Sequence, residues 1–121
     1  MKVAVTSNGK DLNAEVDPRF GRAAYFLIVD PDTMEYKAVE NTQNMELPQG
    51  AGIQAGKTIV ENGVNVLLTG NCGPKAFKVL EQAGVKIVIN AKGTAKEVIE
   101  QFKKGELGNY AQTPNVDGHW I

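Results

Sequence analysis

The chain has 121 residues, 13 Lys and Arg against 14 Asp and Glu, and a single cysteine. That length makes one domain with a real core, and near-neutral charge argues against nucleic acid or a membrane surface as a partner. One cysteine rules out an internal disulfide and any four-cysteine metal site within the chain, and it suits a reducing cytoplasm. No apolar run is long enough to cross a bilayer, and the N-terminus enters a strand pattern directly, with no signal peptide.

Lys2–Thr6 is predicted as a first strand, ended by Ser7-Asn8-Gly9. A loop containing Asp17-Pro18-Arg19-Phe20-Gly21-Arg22 leads to a second, almost wholly apolar strand, Tyr25–Val29. Asp30-Pro31-Asp32 is a turn, and Met34–Glu40 alternates as a half-exposed strand should. The link is too short for a crossover, so strands two and three form an antiparallel hairpin. A polar loop, Asn41–Gln49, precedes a helix over about 50–62, with Ile53, Ile59 and Val60 inward and Gly63 as its stop.

Val66–Leu68 is a short buried strand that breaks at once into Gly70, Asn71, Cys72 and Gly73. Pro74 opens a helix whose apolar face is Ala76, Phe77, Leu80 and Ala83. Val85–Ile89 is the last strand. Thr94-Ala95-Lys96-Glu97 is a capping box for a final helix, buried through Ala95, Val98, Ile99 and Phe102. Residues 1–107 thus form the domain, and 108–121 an extended tail carrying His119 and Trp120. The order βββαβαβα, with right-handed crossovers, gives a three-layer α/β/α fold around a five-stranded mixed sheet. Its strand order would be 3-2-1-4-5 with strand two antiparallel, the ribonuclease H-like arrangement.

Several chemistries can be weighed on this frame. Ala51–Thr58 matches a relaxed P-loop, with Ala51 in place of the first glycine. A nucleotide-binding or hydrolysing protein is therefore the alternative reading. A true P-loop follows a buried strand and its Lys opens the helix, whereas here the preceding residues are polar and Lys57 falls two turns inside. Two-metal nuclease chemistry lacks an acid in the first strand. Cys72 is either a small buried loop residue or a thiolate whose pKa the helix start at Pro74 depresses, able to ligate a metal. A Cys–His pair with His119 lacks an orienting partner. Arg19 and Arg22 leave the same sheet edge as the starts of two helices, near Gly50 and Gly73. Together these make a pocket rich in N–H donors and positive charge, suited to an anion.

The segments Asp17–Ala23, Gly50–Ile53 and Thr69–Phe77 resemble the dinitrogenase iron–molybdenum cofactor biosynthesis family. These are NifX-like cluster carriers, found also as the C-terminal domain of NifB-type proteins, and the resemblance runs from Met1 to about Leu107. It implies binding of an anionic metal–sulfur cluster (Fe–S, Mo–Fe–S or Mo–Cu–S) at Arg19, Phe20, Gly21, Arg22, Gly50, Ala51, Gly52, Asn71 and Gly73, with Cys72 as a metal ligand. Catalysis is not required. Cluster donor and acceptor proteins are the implied partners of a cytoplasmic monomer.

Overall fold

The structure is a computed structural model that describes residues 1–41 and 50–116. Its elements run β1 (Val3–Ser7), β2 (Tyr25–Val29), β3 (Tyr36–Glu40), α1 (Ala51–Glu61), β4 (Val66–Leu68), α2 (Pro74–Gln82), β5 (Lys86–Val88) and α3 (Ala95–Lys103). The strand order is β3-β2-β1-β4-β5. β2 is antiparallel to both neighbours, and β1 is parallel to β4 and β4 to β5. The predicted topology is therefore the observed one.

Strand periodicity explains the layers. Val3 and Val5 point to one face with Leu27, Val29, Leu68 and Val88, and α3 covers them with Ala95, Val98 and Ile99. Ala4 points to the other face with Phe26, Ile28, Leu67 and Ile87, under Ala55 and Ile59 of α1 and Ala76, Phe77 and Leu80 of α2. All five residues of β1 are buried, as a central strand covered on both faces requires.

Several details differ from expectation, among them the last strand, which is Lys86–Val88 rather than Val85–Ile89. β3 starts at Tyr36, because Met34 adopts a positive φ of 64° and its N–H closes on the Asp30 carbonyl at 2.7 Å. The strand is also more exposed than half, and within it only Val39 packs against the core. In α1 the inward face is Ala51, Gly52, Ala55, Gly56 and Ile59, while Ile53 is only half-buried and Val60 faces solvent. The cause is the crossing with α2: a Cβ on Gly56 would lie 3.0 Å from Val79 Cγ1, so the contact accepts only small residues. Phe102 is half-buried rather than buried, and Ala83, expected on the apolar face of α2, is exposed and caps that helix.

The stretch after α3 is also tied down as far as it is described. The Ala111 N–H donates to the Ile87 carbonyl on the outer edge of β5 at 2.7 Å, and Asn115 bonds to the loop after β4. His119, Trp120 and the polar residues 42–49 lie outside the described residues. Among the described residues, no helix is long and apolar enough to cross a membrane.

Candidate functional site

The carboxyl end of β1 anchors the arginine loop. The Asp17 N–H donates to the Thr6 carbonyl at 3.0 Å, and the Thr6 hydroxyl donates to the Asp17 carbonyl at 2.7 Å. That hydroxyl also lies 2.9 Å from the Thr69 hydroxyl at the end of neighbouring β4, so the two strand ends share one buried polar contact. The buried Asp17 carboxylate accepts the Arg19 N–H at 2.9 Å, an Asx turn, and sits 3.7 Å from the Arg19 Nε. Phe20 is fully buried and stacks on Phe26 with ring centroids 5.5 Å apart. At the far end, the Asn41 side chain donates to the carbonyls of Gly21 at 3.2 Å and Ala23 at 2.8 Å. The loop is thus fixed along its length, with the Arg19 side chain 48% exposed and Arg22 half-buried.

Two close backbone approaches bring the other predicted segments to it. A Cβ on Gly21 would lie 3.0 Å from both the N and Cα of Gly52, so any side chain there would sit on the start of α1. A Cβ on Gly70 would lie 2.7 Å from Pro18 Cα, closer than real Cβ atoms come. Arg19 forms an isolated bridge with Asn71, the Phe20 N–H donates to the Asn71 carbonyl at 3.2 Å, and the Asn71 side chain donates to the Pro18 carbonyl at 3.0 Å. Arg19, Gly21, Gly52, Gly70 and Asn71 therefore meet directly. Gly50 and Gly73 border this cluster as the N-caps of α1 and α2, and Ala51 as the first residue of α1.

Both helix starts that face the cluster lack a side-chain cap and an acidic residue in the first turn. The first helical bonds are Gln54 N–H to Gly50 O and Phe77 N–H to Gly73 O. No described residue accepts the N–H groups of Ala51, Gly52 and Ile53, nor those of Gly73, Lys75 and Ala76. N–H groups without an acceptor among the described residues, and the positive ends of two helix dipoles, thus lie near Arg19, an arrangement whose electrostatics favour an anion.

Two expected ligands need correction. Phe20 belongs to the core: it anchors the loop and presents no surface to a ligand. Cys72 is fully buried with its thiol against the Gly73 carbonyl at 3.8 Å, and burial pushes that thiol up to about 12. The expected depression fails because desolvation of a buried thiolate outweighs the helix start. Among the described residues, no group of three or more His, Cys, Asp and Glu is placed to hold a metal ion. The P-loop segment is helical from Ala51 onward, with Lys57 exposed and the Thr58 hydroxyl bonded back to the Gln54 carbonyl at 3.1 Å, so there is no phosphate-cradling loop.

Sequence reasoning missed Thr6, Thr69, Asp17 and Asn41, whose roles are loop anchoring. Asp17-Pro18-Arg19 did carry an Asx-turn signal. It also missed Asn115. Its Oδ1 accepts the Cys72 N–H at 2.8 Å, and its Nδ2 donates to Asn71 Oδ1 at 3.0 Å and to the Gly70 carbonyl at 3.3 Å. No sequence signal announces this.

The profile of the family described as "Dinitrogenase iron-molybdenum cofactor" matches residues 1–105. The apo form of the orange protein from Desulfovibrio gigas has the same fold with a TM-score of 0.91, at 41% identity over 95% of this chain and 96% of that one. A putative NifB protein from Thermotoga superposes with a TM-score of 0.76, at 39% identity over 87% of this chain and 89% of its own. No curated protein matches the chain.

Proposed function

The chain belongs to the dinitrogenase iron-molybdenum cofactor family, and from that premise we propose that it is a small carrier of an anionic metal–sulfur cluster. The cargo is the iron–molybdenum cofactor, its precursor or a related Fe–S, Mo–Fe–S or Mo–Cu–S cluster, taken from a donor protein and passed to an acceptor. One observation carries the reading: the arginine loop and two uncapped helix starts converge at the carboxyl edge of β1 and β4. Such donors fit sulfide or oxo ligands on the outside of a preformed anion. They do not fit a bare cation, and the buried Cys72 is not poised as a thiolate.

Each part then has a task. Arg19 and Arg22 supply charge and directed N–H groups. The starts of α1 and α2 supply backbone N–H groups, and the missing side chain at Gly21 lets the arginine loop pack directly on Gly52 at the start of α1. Phe20, Asp17 and Asn41 keep the loop from moving when a charge arrives or leaves. Holding and releasing a finished cluster breaks no covalent bond within it, so the protein acts as a carrier and not as an enzyme. It works as a monomer in the cytoplasm, and we read its fold as ribonuclease H-like.

The test is anaerobic reconstitution of the apo-protein with a thiomolybdate–copper or iron–sulfur donor, following absorbance retained after desalting. Each charge-assisted hydrogen bond contributes roughly 1.5–3 kcal/mol, so Arg19→Ala or Arg22→Ala should weaken retention by about ten- to a hundredfold. Arg22→Lys keeps the charge without the planar fork and should recover part of the loss. If both arginine variants hold the cluster like wild type while Cys72→Ser loses it, the site is thiolate-based and the anion account is wrong. Wild type that retains nothing from any donor sinks the carrier reading.

A further inference from the structure

Asn115 lies beyond the residues 1–105 that the family profile matches, yet it bonds to every residue of the loop from Gly70 to Cys72. Its carboxamide uses both ends: Oδ1 takes the Cys72 N–H at 2.8 Å, while Nδ2 reaches Asn71 Oδ1 at 3.0 Å and the Gly70 carbonyl at 3.3 Å. Its own N–H donates to the Cys72 carbonyl at 3.3 Å. Asn71 in turn spends its remaining amide group on the Pro18 carbonyl at 3.0 Å, and its backbone carbonyl accepts the Phe20 N–H at 3.2 Å. Three segments distant in sequence are therefore joined by one chain of hydrogen bonds, running from the tail through Asn71 to the arginine loop.

We propose that Asn115 is a positioning residue for the anion site, acting through Asn71 to set Arg19 and the Gly70–Gly73 loop relative to each other. Two features of the geometry single it out. An amide fixes the orientation of its neighbour: with Nδ2 of Asn115 facing Oδ1 of Asn71, the Nδ2 of Asn71 must face Pro18, and the direction of the relay is determined. The Oδ1 of Asn115 also takes up the Cys72 N–H, the donor that directly precedes the cap of α2. Asn115 touches no cargo on this account. Its consequence for cargo rests on the carrier reading above, whereas its effect on the apo-protein does not.

The experiment follows backbone amides of the isotope-labelled apo-protein by NMR, with cluster retention measured in parallel. In Asn115→Ala the Cys72 amide should exchange about tenfold faster or more, as expected for a lost hydrogen bond. The Arg19 and Phe20 amide signals should shift, while Leu67 in β4 keeps its wild-type exchange rate. Asn115→Asp is the sharper variant. It keeps an oxygen for the Cys72 N–H but turns an acceptor toward Asn71 Oδ1 and the Gly70 carbonyl. The Cys72 amide should then stay protected while the Asn71 side-chain, Arg19 and Phe20 signals move. A purely structural role would loosen all of these together with Leu67. Unmoved Arg19 and Phe20 signals in both variants overturn the relay, as does wild-type exchange at Cys72 in Asn115→Ala. On the cargo side, retention should fall by about three- to tenfold in each variant, the range of one or two neutral hydrogen bonds. Full retention despite shifted amides overturns the positioning role. Absence of retention in wild type counts against the carrier reading, and the amide results still decide the relay.

Discussion

The molecule starts its helices in two different ways, and the contrast is informative. At α3 every early N–H group finds an acceptor within the protein. Thr94 N–H goes to Glu97 Oε1 at 3.0 Å, Ala95 to the Ala14 carbonyl at 2.9 Å, Lys96 to the Leu12 carbonyl at 2.8 Å and Glu97 to the Thr94 hydroxyl at 3.1 Å. At α1 and α2 neither cap supplies a side chain, and the early N–H groups meet no described acceptor. One helix start is thus closed completely, while the other two, near Arg19, have early N–H groups without an acceptor among the described residues. A donor without an internal acceptor is stabilised by one from outside, so on the proposed reading the α1 and α2 starts serve the anion and the α3 start serves stability alone.

The largest expected effect separates open backbone donors from the closed thiol beside them. Burial raises Cys72 from about 9 to about 12, so its stability contribution is complete below the unfolded value and is lost as pH climbs through that window. At a given pH below 9 its thiolate fraction is lower by about a thousandfold, and alkylation of native protein should be slower than that of denatured protein by at least that factor. Thiol labelling under native and denaturing conditions measures it directly. Labelling at comparable rates would make Cys72 accessible and would restore it as a ligand.

A second comparison tests charge at an open helix start. Gly50 has a φ of 83° and nothing within 4 Å of where a Cβ would stand. Gly50→Asn and Gly50→Asp therefore share the same backbone strain, roughly 1–2 kcal/mol, and differ in charge alone. The carboxylate should reduce cluster retention about tenfold below the Asn variant, the size of a like-charge interaction near a protein surface. Equal retention would mean that the start of α1 does not face the cargo.

Much of this was legible in the residues. Strand composition, turn residues and two Gly-rich breaks led to the strand order, because an apolar run can only be a buried strand in so short a chain. The arginine loop was legible as a unit because Pro18 and Gly21 punctuate it. What escaped was whatever depends on tertiary approach. Val60 lies at helical spacing from other apolar residues, yet the inward face went to Gly52 and Gly56, selected by close packing rather than hydropathy. Cys72 sits beside a helix start, which argues for a thiolate, until its burial reverses the sign. Asn115, in a stretch without period, acts across 43 residues of sequence on Cys72, and no local pattern encodes that.

The closed helix start should respond in stability and not in cargo. Thr94→Ala removes the side-chain half of the capping box, costing about 1 kcal/mol. Ala95 and Lys96 keep their carbonyl partners, so the helix itself should remain. Chemical denaturation gives the loss, and cluster retention should equal wild type. Retention that falls with Thr94→Ala would mean that the two faces of the sheet are coupled, and the division between open and closed starts would be too simple.

The smallest effect is a pH dependence confined to the same cap. The Thr94 backbone N–H, and then the Thr94 hydroxyl group's interaction, hold the Glu97 carboxyl below its ordinary value of 4.5. A depressed folded-state value means that the carboxylate's contribution is fully present above the unfolded value and is lost as pH falls through the folded one. Glu97 is fully exposed to solvent in its titrating group, so water and salt screen most of the interaction and the amplitude is small. Glu97→Gln retains an oxygen for the Thr94 N–H but has no charge to lose. Wild type should therefore be slightly the more stable protein above about pH 4.5, and the two melting curves should converge as the pH is lowered further. A gap that persists unchanged in acid would show that the Glu97 side chain stabilises α3 through packing, with its charge playing no part.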